Sequence, residues 1–567
     1  MKTKTMKTTA RTLFLHASSI ALAAALVACG GGSDGGSSSA GGGTTPASLT
    51  VGGTAAVGAA LAAAPVSIKC VGGTGTATTA ADGSFSVAIS GASLPCVLSV
   101  TSGTTTLRSV AEAGSASSVT ANITPLSEII VSRLAGGDAA ALFNNFDAAA
   151  QAKLSSTALS DARAVVVAAL KDAIDLSGVD PIKDPLVAAN SGKTGNALDQ
   201  KLDSLGAVLK AGQTNLGEVV AALAANPTAP AVVQNLLKPA ASSCAALRSG
   251  KVYMLDPYEY DLTPDKIPVS TVDAVALTYT NEDGGVFKLV PVADSPCAFT
   301  VQGEEVQLYV AKSGVILART KDDAGTMRAA LGVPVQNVPL AELSGNWNVT
   351  GYMADTYGAT PAPFFSTYAI DGAGKVTGGA DCKGLDACVA WTPQPGEAFT
   401  VHTAGGFVTS DSEGSGRLFP VKNAAGQMAL LGIAFDANKR PLGVAIFSRP
   451  TALSLPSVDQ VDNFWDMQIT GNGIAQAVDD NQTKIQSVDA ATNSYKRIRT
   501  SDGRVDGFTV NKPRDGLRYR PAGSSVGING ATITYGATLN TPLAGLGLTV
   551  YSSLGPNVFF GVSVAKP

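Results

Sequence analysis

The hydrophobic period of this chain changes twice, and those changes limit the folds that it can adopt. Apolar and polar residues alternate over residues 49–123, between Gly- and Thr-rich turns, and a period of two indicates β-strands. Residues 124–240 carry apolar side chains three or four positions apart, as helices do, and residues 241–567 return to short alternating runs. The sequence therefore predicts a multidomain, mainly β protein with a central all-α region.

The central region begins with a specific helix signal. Thr124 suits an N-cap, Pro125 suits the first helical position, and Glu128 lies in the first turn. Further along, a stripe of leucines recurs at helical spacing, at Leu198, Leu202, Leu205 and Leu209. Such a stripe is typical of a helix that packs on a core. We therefore expect a helical domain over residues 124–240.

The C-terminal region is a series of short strands separated by Asp-Gly, Gly-Gly and Asn-Gly turns. Related openings at Leu247, Leu343 and Phe464 are roughly 100 residues apart, which suits small barrels better than propeller blades of about 40–45 residues. The Gly-Asn-Trp sequence at residues 345–347 is similar to the Gly-x-Trp motif that opens lipocalin barrels. That resemblance implies tandem lipocalin-like barrels, with breaks near residues 342 and 456. A β-propeller is the alternative.

Residues 1–29 have the features of an export signal. Four basic residues precede an apolar run that ends at Ala28, and this run is too short to span a membrane. The sequence Leu-Val-Ala-Cys at residues 26–29 resembles the lipobox of bacterial lipoproteins. The resemblance implies that residues 1–28 are removed as a signal peptide and that Cys29 then carries lipid. Several acyl chains hold a protein firmly to a membrane.

The residues after Cys29 indicate where the protein is held. In lipoproteins an aspartate after the cysteine marks retention in the inner membrane, and Gly30 stands here instead. The resemblance therefore implies the outer membrane of a Gram-negative bacterium, on a side that the sequence does not indicate. Residues 29–48 are rich in Gly and Ser and predict a flexible tether. Nothing in the sequence indicates an oligomeric state.

Charge excludes one class of partner. Residues 1–28 hold four of the 40 Lys and Arg residues and none of the 44 acidic ones, so the remaining chain has a net charge of −8. That balance argues against broad nucleic-acid binding. No later stretch has 18 unbroken apolar residues, so no transmembrane helix is expected.

Six cysteines follow Cys29, at Cys70, Cys96, Cys244, Cys297, Cys382 and Cys388. They allow fifteen pairings, and sequence alone does not decide strictly among them. Sequential pairing is favoured because each successive pair falls within one proposed module of an exported protein. A zinc site is disfavoured, since no spacing is a CxxC and His402 is the one histidine beyond the signal peptide. We expect no metal and no cofactor.

Residues 49–123 resemble the carboxypeptidase regulatory-like module. The resemblance is carried by Gly-Ala-Ala-Leu at residues 58–61, Ala-Pro-Val-Ser-Ile at 64–68, and the Asp-Gly-Ser-Phe hairpin at 82–85. It implies a small transthyretin-like β-sandwich in which Cys70 and Cys96 tie two strands. It implies no catalysis, because carboxypeptidase zinc chemistry needs histidine ligands and this segment contains none.

A basic cluster near the C-terminus stands out in an acidic chain. Guanidinium groups bind carboxylate, phosphate or sulfate in bidentate fashion, and tyrosines can stack on sugar rings. The candidate ligand-binding residues are Arg497, Arg499, Arg504, Arg514, Arg518, Tyr519 and Arg520. The competing interpretation is cross-strand ion pairing with Asp502, Asp506 and Asp515, and from the sequence we favour it.

No residue is assigned a catalytic role, because the chain offers no assembled acid–base set and no Gly-x-Ser-x-Gly motif. The sequence therefore favours a lipid-anchored, non-enzymatic cell-envelope protein. Its role is binding or surface scaffolding, with a glycan, another anionic compound or a protein as ligand. The alternative is an exported hydrolase with a carboxylate-based active site. A deep pocket with two facing carboxylates would favour that alternative.

The lipobox interpretation predicts the effect of changing Cys29 to Ser. The variant lacks the thiol that accepts lipid, so we expect it to incorporate no labelled palmitate and to leave the membrane fraction. Ser33→Ala, a change in the tether, is the control and should still be labelled. Labelling of Cys29→Ser at the wild-type level would contradict the interpretation.

Overall fold

The computed structural model describes residues 48–190, 192–256, 262–322, 324–385, 387–412 and 414–567. The predicted signal peptide, Cys29 and the tether up to residue 47 lie outside the described residues.

Seven strands form two sheets at the start of the described chain. They are β1 (Ser48–Thr54), β2 (Pro65–Val71), β3 (Gly73–Thr78), β4 (Ser84–Ser90), β5 (Ser93–Ser102), β6 (Thr105–Ala111) and β7 (Ser118–Thr120). One sheet has the order β4-β1-β7 and the other β3-β2-β5-β6. The turn before β4 needs glycine, because Gly83 has a φ of 79° and an added Cβ would lie 2.5 Å from the Ala55 carbonyl oxygen. A Cys70–Cys96 disulfide joins β2 to β5.

Seven helices follow. They are α1 (Pro125–Ala135), α2 (Ala139–Asn144), α3 (Ala148–Ala152), α4 (Ser156–Leu170), α5 (Ala197–Ala211), α6 (Leu216–Ala225) and α7 (Pro230–Leu236). The predicted N-cap is confirmed: the Thr124 hydroxyl accepts from the Ser127 amide at 3.1 Å, and the Ser127 hydroxyl accepts from the Thr124 amide at 2.8 Å. α1 packs on β6, where Glu128 pairs with Arg108 at 2.9 Å. One continuous apolar core therefore spans these helices and the two preceding sheets.

A closed eight-stranded barrel, the first barrel, comes next. A short pair, β8 (Ala240–Ala241) and β9 (Cys244–Arg248), precedes it, and Cys244 is bonded to Cys297. The barrel strands are β10 (Gly250–Leu255), β11 (Val269–Asp273), β12 (Thr278–Thr280), β13 (Val286–Pro291), β14 (Ala298–Val301), β15 (Gln307–Val310), β16 (Ile316–Lys321) and β17 (Met327–Pro334). Each strand pairs with the next in sequence, and β17 closes the barrel on β10.

A nine-stranded antiparallel sheet follows the 3₁₀ helix Leu340–Leu343. Its strands are β18 (Gly345–Met353), β19 (Ala362–Ile370), β20 (Val376–Cys382), β21 (Cys388–Trp391), β22 (Thr400–Val401), β23 (Phe407–Ser410), β24 (Gly414–Lys422), β25 (Met428–Asp436) and β26 (Pro441–Ser448). The spatial order is β21-β20-β19-β18-β26-β25-β24-β23-β22. Trp347 is fully buried beneath the Arg449 guanidinium, whose Cζ lies 3.7 Å from the ring centroid. Cys382 and Cys388 form a disulfide between β20 and β21.

A second closed barrel ends the chain. Its strands, with a hairpin inserted after β31, are β27 (Val461–Thr470), β28 (Gly473–Asp489), β29 (Ser494–Arg499), β30 (Val505–Val510), β31 (Arg518–Arg520), β32 (Gly523–Val526), β33 (Thr532–Tyr535), β34 (Thr538–Leu543), β35 (Leu548–Ser553) and β36 (Phe560–Ala565). The barrel order is β27-β28-β29-β30-β31-β34-β35-β36, and β32 and β33 form the separate hairpin.

The observed elements agree with a mainly β chain that carries its helices in the centre. The C-terminal region forms two eight-stranded barrels and an open nine-stranded sheet. The β-propeller alternative is therefore wrong, because propeller blades are sheets of four strands. The predicted domain boundaries and the transthyretin-like character of residues 49–123 stay predictions. Among the described residues, no helix combines the length and the hydrophobicity needed to cross a membrane.

The Thr124 cap predicts a difference between two substitutions. Thr124→Ala removes the oxygen that caps α1, so we expect the free energy of unfolding to fall by about 1 kcal/mol. Thr124→Ser keeps the oxygen and should lose less. The measurement is urea unfolding followed by far-ultraviolet circular dichroism. Equal losses in both variants would trace the effect to the missing methyl group instead.

Candidate functional site

A cavity of about 580 Å³ lies inside the second barrel. All eight barrel strands contribute to its wall, and away from the strand ends they do so with alternate residues, such as Phe464, Asp466 and Gln468 on β27. Because alternate residues of a strand share one face, this pattern identifies the cavity as the barrel interior. Its volume is in the usual range for small-molecule sites.

The cavity opens at one end of the barrel. The exposed residues that line it are in three neighbouring places: before and at the start of β27 (such as Gln460), in the turn between β34 and β35 (such as Gly545), and at the end of β36 (Ala565). The arginines are on β29 and β31 and, for Arg504, directly before β30. A small molecule could therefore enter from one end and meet the arginines inside.

The lining of the cavity carries excess positive charge. Its basic residues are Arg497, Arg499, Arg504, Arg518, Arg520 and Lys566, and its acidic residues are Asp462, Asp466 and Asp506. Asp502 adds one more carboxylate, because it pairs with Arg499 from outside the lining. Leaving Lys566 aside, five arginines face four carboxyl groups, so positive charge exceeds negative charge by one even when every carboxyl group is ionised.

Asp506 is the counter-ion that three arginines share. Its side chain is 1% exposed, and its carboxylate lies 2.9 Å from Arg504, 3.3 Å from Arg520 and 3.8 Å from Arg497. Burial raises the pKa of Asp506, but the three guanidinium groups outweigh burial and hold that pKa below its ordinary value. The carboxylate therefore stays ionised and is already engaged.

The arginines keep unused hydrogen-bonding capacity. Nε of Arg497, Arg504, Arg518 and Arg520 is buried and has no hydrogen-bond partner among the described residues. Arg518 donates to the Tyr495 hydroxyl oxygen at 2.9 Å and has no carboxylate within ion-pair distance in the described part of the chain. Buried guanidinium donors without partners are costly, and an anion is the partner that suits them.

A second carboxyl group faces the cavity from β27. Asp466 Oδ1 accepts hydrogen bonds from the Tyr551 hydroxyl at 2.8 Å and from the Ser563 hydroxyl at 2.7 Å. Burial raises the pKa of Asp466, and these two hydrogen bonds oppose the rise without cancelling it. The same surroundings raise the pKa of Tyr551, first through burial and then through the charge of Asp466. Asp466 and Asp506 therefore have pKa values displaced in opposite directions.

The inserted hairpin covers the arginine end of the barrel. The Tyr535 ring centroid lies 5.5 Å from Cζ of Arg504 and 5.0 Å from Cζ of Arg520. The Tyr535 hydroxyl donates to the Val505 carbonyl oxygen at 2.9 Å, and the Ile528 amide donates to the Asp502 carbonyl oxygen at 2.8 Å. These contacts hold β32 and β33 against the β29–β30 turn.

The structure brings together five of the seven residues in the predicted cluster. Arg514 is elsewhere: its Nε donates to Asn348 at 2.8 Å, and its Nη1 lies 3.4 Å from Cys382 Sγ. Tyr519 is on the other face of β31 from Arg518, because adjacent residues of a strand point to opposite faces, and Lys512 Nζ lies 5.6 Å from its ring centroid. Arg514 and Tyr519 are therefore outside the cavity.

The competing interpretation, ion pairing of the arginines with aspartates, holds for four of the arginines in the cluster. Arg499 forms a bidentate pair with Asp502, and Asp506 serves three arginines. Asp515 contributes its backbone carbonyl oxygen, to Asn348 at 2.9 Å. Sequence reasoning missed the opposite wall of the cavity, which includes Asp466, Asn481, Thr483, Asn540, Tyr551 and Ser563. Alternate polar residues in these strands were the available signal, and polar alternation is also typical of a solvent-facing strand.

His402 contacts a backbone amide and a buried arginine. Its Nδ1 accepts from the Ala404 amide at 3.1 Å and lies 2.9 Å from Nη2 of the buried Arg417. Burial, followed by the charge of Arg417, lowers the pKa of His402. Among the described residues, no group of three His, Cys, Asp or Glu side chains could hold a metal ion.

Comparisons with known proteins are limited to weak likenesses in structure. No family model and no curated protein matches the chain. A protein of unknown function from the DUF3598 family of Nostoc punctiforme shares 10% identity at a TM-score of 0.15, over 41% of this chain and 99% of that one. Isotype 1 transferrin binding protein B from serogroup B Neisseria meningitidis shares 10% identity at a TM-score of 0.18, over 53% of this chain and 58% of that one. At these TM-scores neither likeness carries an argument.

The two barrel aspartates predict opposite pH effects on stability. Because the folded state raises the pKa of Asp466, it binds that proton more tightly than the unfolded state, so this contribution falls as pH rises above about 4. Asp466→Asn keeps an oxygen for Tyr551 and Ser563, and its melting temperature relative to wild type should rise as the pH increases above about 4.

Asp506→Asn is the matched comparison. The pKa of Asp506 is lowered in the folded state, so its stabilisation is present at neutral pH and is lost on acidification. At pH 7 this variant should lose about 3–5 kcal/mol, because three buried cations lose their counter-ion. Melting curves across pH measure both effects. Parallel pH profiles for Asp466→Asn and wild type would contradict the prediction for Asp466.

Proposed function

We propose that this protein is a lipid-anchored binding protein of the cell envelope and that its second barrel binds a small anionic ligand. Cys29 anchors it in the outer membrane of a Gram-negative bacterium, and the tether separates the folded part from the lipid. In this proposal the transthyretin-like module and the helices form the base that carries the barrels.

One observation supports the anionic ligand above all others: three largely buried arginines share one carboxylate, and a fourth arginine beside them has no carboxylate partner among the described residues. A cluster built for stability alone would match its charges, because an uncompensated buried cation costs several kcal/mol. Here Arg497, Arg504 and Arg520 share Asp506, and Arg518 is hydrogen bonded to a neutral tyrosine. A bound carboxylate, phosphate or sulfate would complete both the charge balance and the hydrogen bonding.

The hydrolase alternative has one observation in its favour. Two carboxyl groups with pKa values displaced in opposite directions are typical of general acid–base pairs, and Asp466 and Asp506 have that property. Asp506, however, is bound by three guanidinium groups, and its lowered pKa makes it a weak base. Binding therefore explains the arrangement better than hydrolysis does.

Arg518 and Arg514 provide a matched test of the binding site. Arg518→Gln removes a cavity charge that is not paired with a carboxylate, so it should weaken binding of the anion about 10- to 100-fold, with little change in melting temperature. Arg514→Gln removes an arginine from outside the cavity and should leave binding unchanged. Isothermal titration of the full mature protein in detergent, with acetate, phosphate, sulfate and D-glucuronate, measures both.

Salt dependence completes this test. Binding to surplus positive charge should weaken as ionic strength rises, because mobile ions compete with the ligand and screen its attraction. The proposal fails if none of the four anions binds to wild type, or if Arg518→Gln and Arg514→Gln bind as wild type does.

A further inference from the structure

Beyond the arginines, the wall of the cavity contains several hydrogen-bonding groups as well as apolar residues. In the barrel register, Asn540 on β34 lies directly opposite Arg518, and Tyr551 on β35 lies directly opposite Asn540. The Tyr551 hydroxyl then reaches Asp466 on β27 at 2.8 Å. An amide, a phenol and a carboxyl group therefore follow the arginine in order around the barrel.

Two polar groups on the adjoining strand have no partner. Oδ1 of Asn481 and Oγ1 of Thr483, both on β28, make no hydrogen bond among the described residues, and the two residues are 2% and 1% exposed. Thr483 lies directly opposite Arg499 in the sheet. Buried polar atoms without partners destabilise a fold unless a ligand or water satisfies them.

The arginines and these hydrogen-bonding groups together limit the chemistry of the ligand. A fatty acid or another hydrocarbon-rich anion could satisfy the arginines, but it would leave Asn481, Thr483 and Asn540 facing apolar atoms. Hydroxyl groups both donate and accept hydrogen bonds, so they suit a wall of amide, hydroxyl and carboxyl groups. The Phe464 ring, which also lines the cavity, offers an apolar face for the carbon–hydrogen face of a ring.

We propose, resting on the proposed function, that the ligand of the second barrel is an acidic sugar. Its carboxylate lies among Arg497, Arg504, Arg518 and Arg520, and its ring hydroxyl groups face Asp466, Asn481, Thr483 and Asn540. The sugar enters through the mouth beside Gln460 and Gly545, either free or as the last residue of a glycan.

Matched ligands test this inference by isothermal titration of the full mature protein in detergent. The acidic sugars are D-glucuronate, D-galacturonate and N-acetylneuraminate. Glucose is the comparison that lacks the carboxylate, and cyclohexanecarboxylate is the comparison that keeps a ring and a carboxylate without hydroxyl groups. At least one acidic sugar should bind about tenfold more tightly than either comparison compound.

Outcomes separate this inference from the proposed function. If cyclohexanecarboxylate, phosphate or sulfate equals the best acidic sugar, the acidic-sugar inference is overturned and anion binding stands. If no anion binds, both are overturned. The methyl glycoside of the best sugar distinguishes the two sources: retained binding assigns the end of a glycan, and lost binding assigns the free sugar.

Thr483→Val tests directly whether this wall of the cavity binds the hydroxyl groups of the sugar. Valine has the shape of threonine and removes a hydroxyl that has no partner, so the fold should not suffer. Binding of the acidic sugar should weaken about five- to tenfold, while cyclohexanecarboxylate binds as before. Thr509→Val, on the outer face of β30 opposite Tyr519, is the control and should change neither. Equal effects of Thr483→Val on both ligands, or no effect on either, would overturn the assignment of this wall.

Discussion

The interior of the second barrel depends on one buried carboxylate, that of Asp506. Three guanidinium groups approach it within 3.8 Å, and its side chain is almost entirely shielded from solvent. Like charges placed together at low dielectric repel strongly, so these arginines could not share a barrel without it. Because one carboxylate serves three arginines, the barrel folds with surplus positive charge. The proposed binding function rests on that surplus.

The two barrels have the same number of strands and opposite interiors. In the first barrel Val252, Leu289 and Val301 are buried, and Tyr279 stacks on Phe287 with ring centroids 4.9 Å apart. Eight strands enclose a space that side chains can just fill, and apolar side chains fill this one. In the second barrel, charged and amide side chains leave a cavity instead. Equal topology therefore gives one packed core and one candidate binding site.

The nine-stranded sheet fixes the position of the second barrel. Arg514 donates to Asn348 on β18, and the hydroxyl groups of Thr350 and Thr541 lie 2.7 Å apart across the same contact. Tyr352 stacks on Phe560 a little further along, with centroids 5.9 Å apart. Arg514 thus belongs to the junction rather than to the ligand site. Because the site is built on strands held in this way, its arginines are more firmly placed than loop residues would be.

Several features could be predicted because their causes are local. Thr124 and Pro125 begin a helix through their own backbone and side-chain preferences. The three disulfides join successive cysteines, whose separations of 26, 53 and 6 residues keep each pair within one run of strands. Strand spacing likewise indicated the barrels that follow Leu247 and Phe464, whereas the strands after Leu343 form an open sheet instead of a barrel. Each of these depends on neighbours in the chain.

The contents of the candidate site depended on distant parts of the chain. On β29, Arg497 and Arg499 are on one face of the strand, and Lys496 and Ile498 are on the other. Charged residues at alternate positions ordinarily predict a face turned to solvent. Barrel closure turns Arg497 inward and leaves Lys496 exposed. The sequence by itself determined that the residues alternate, because that follows from strand geometry. The tertiary structure decided which face became the interior, because a period of two is the same for both faces. That choice follows from closure of the barrel, in which β27 pairs with β36, almost 100 residues away.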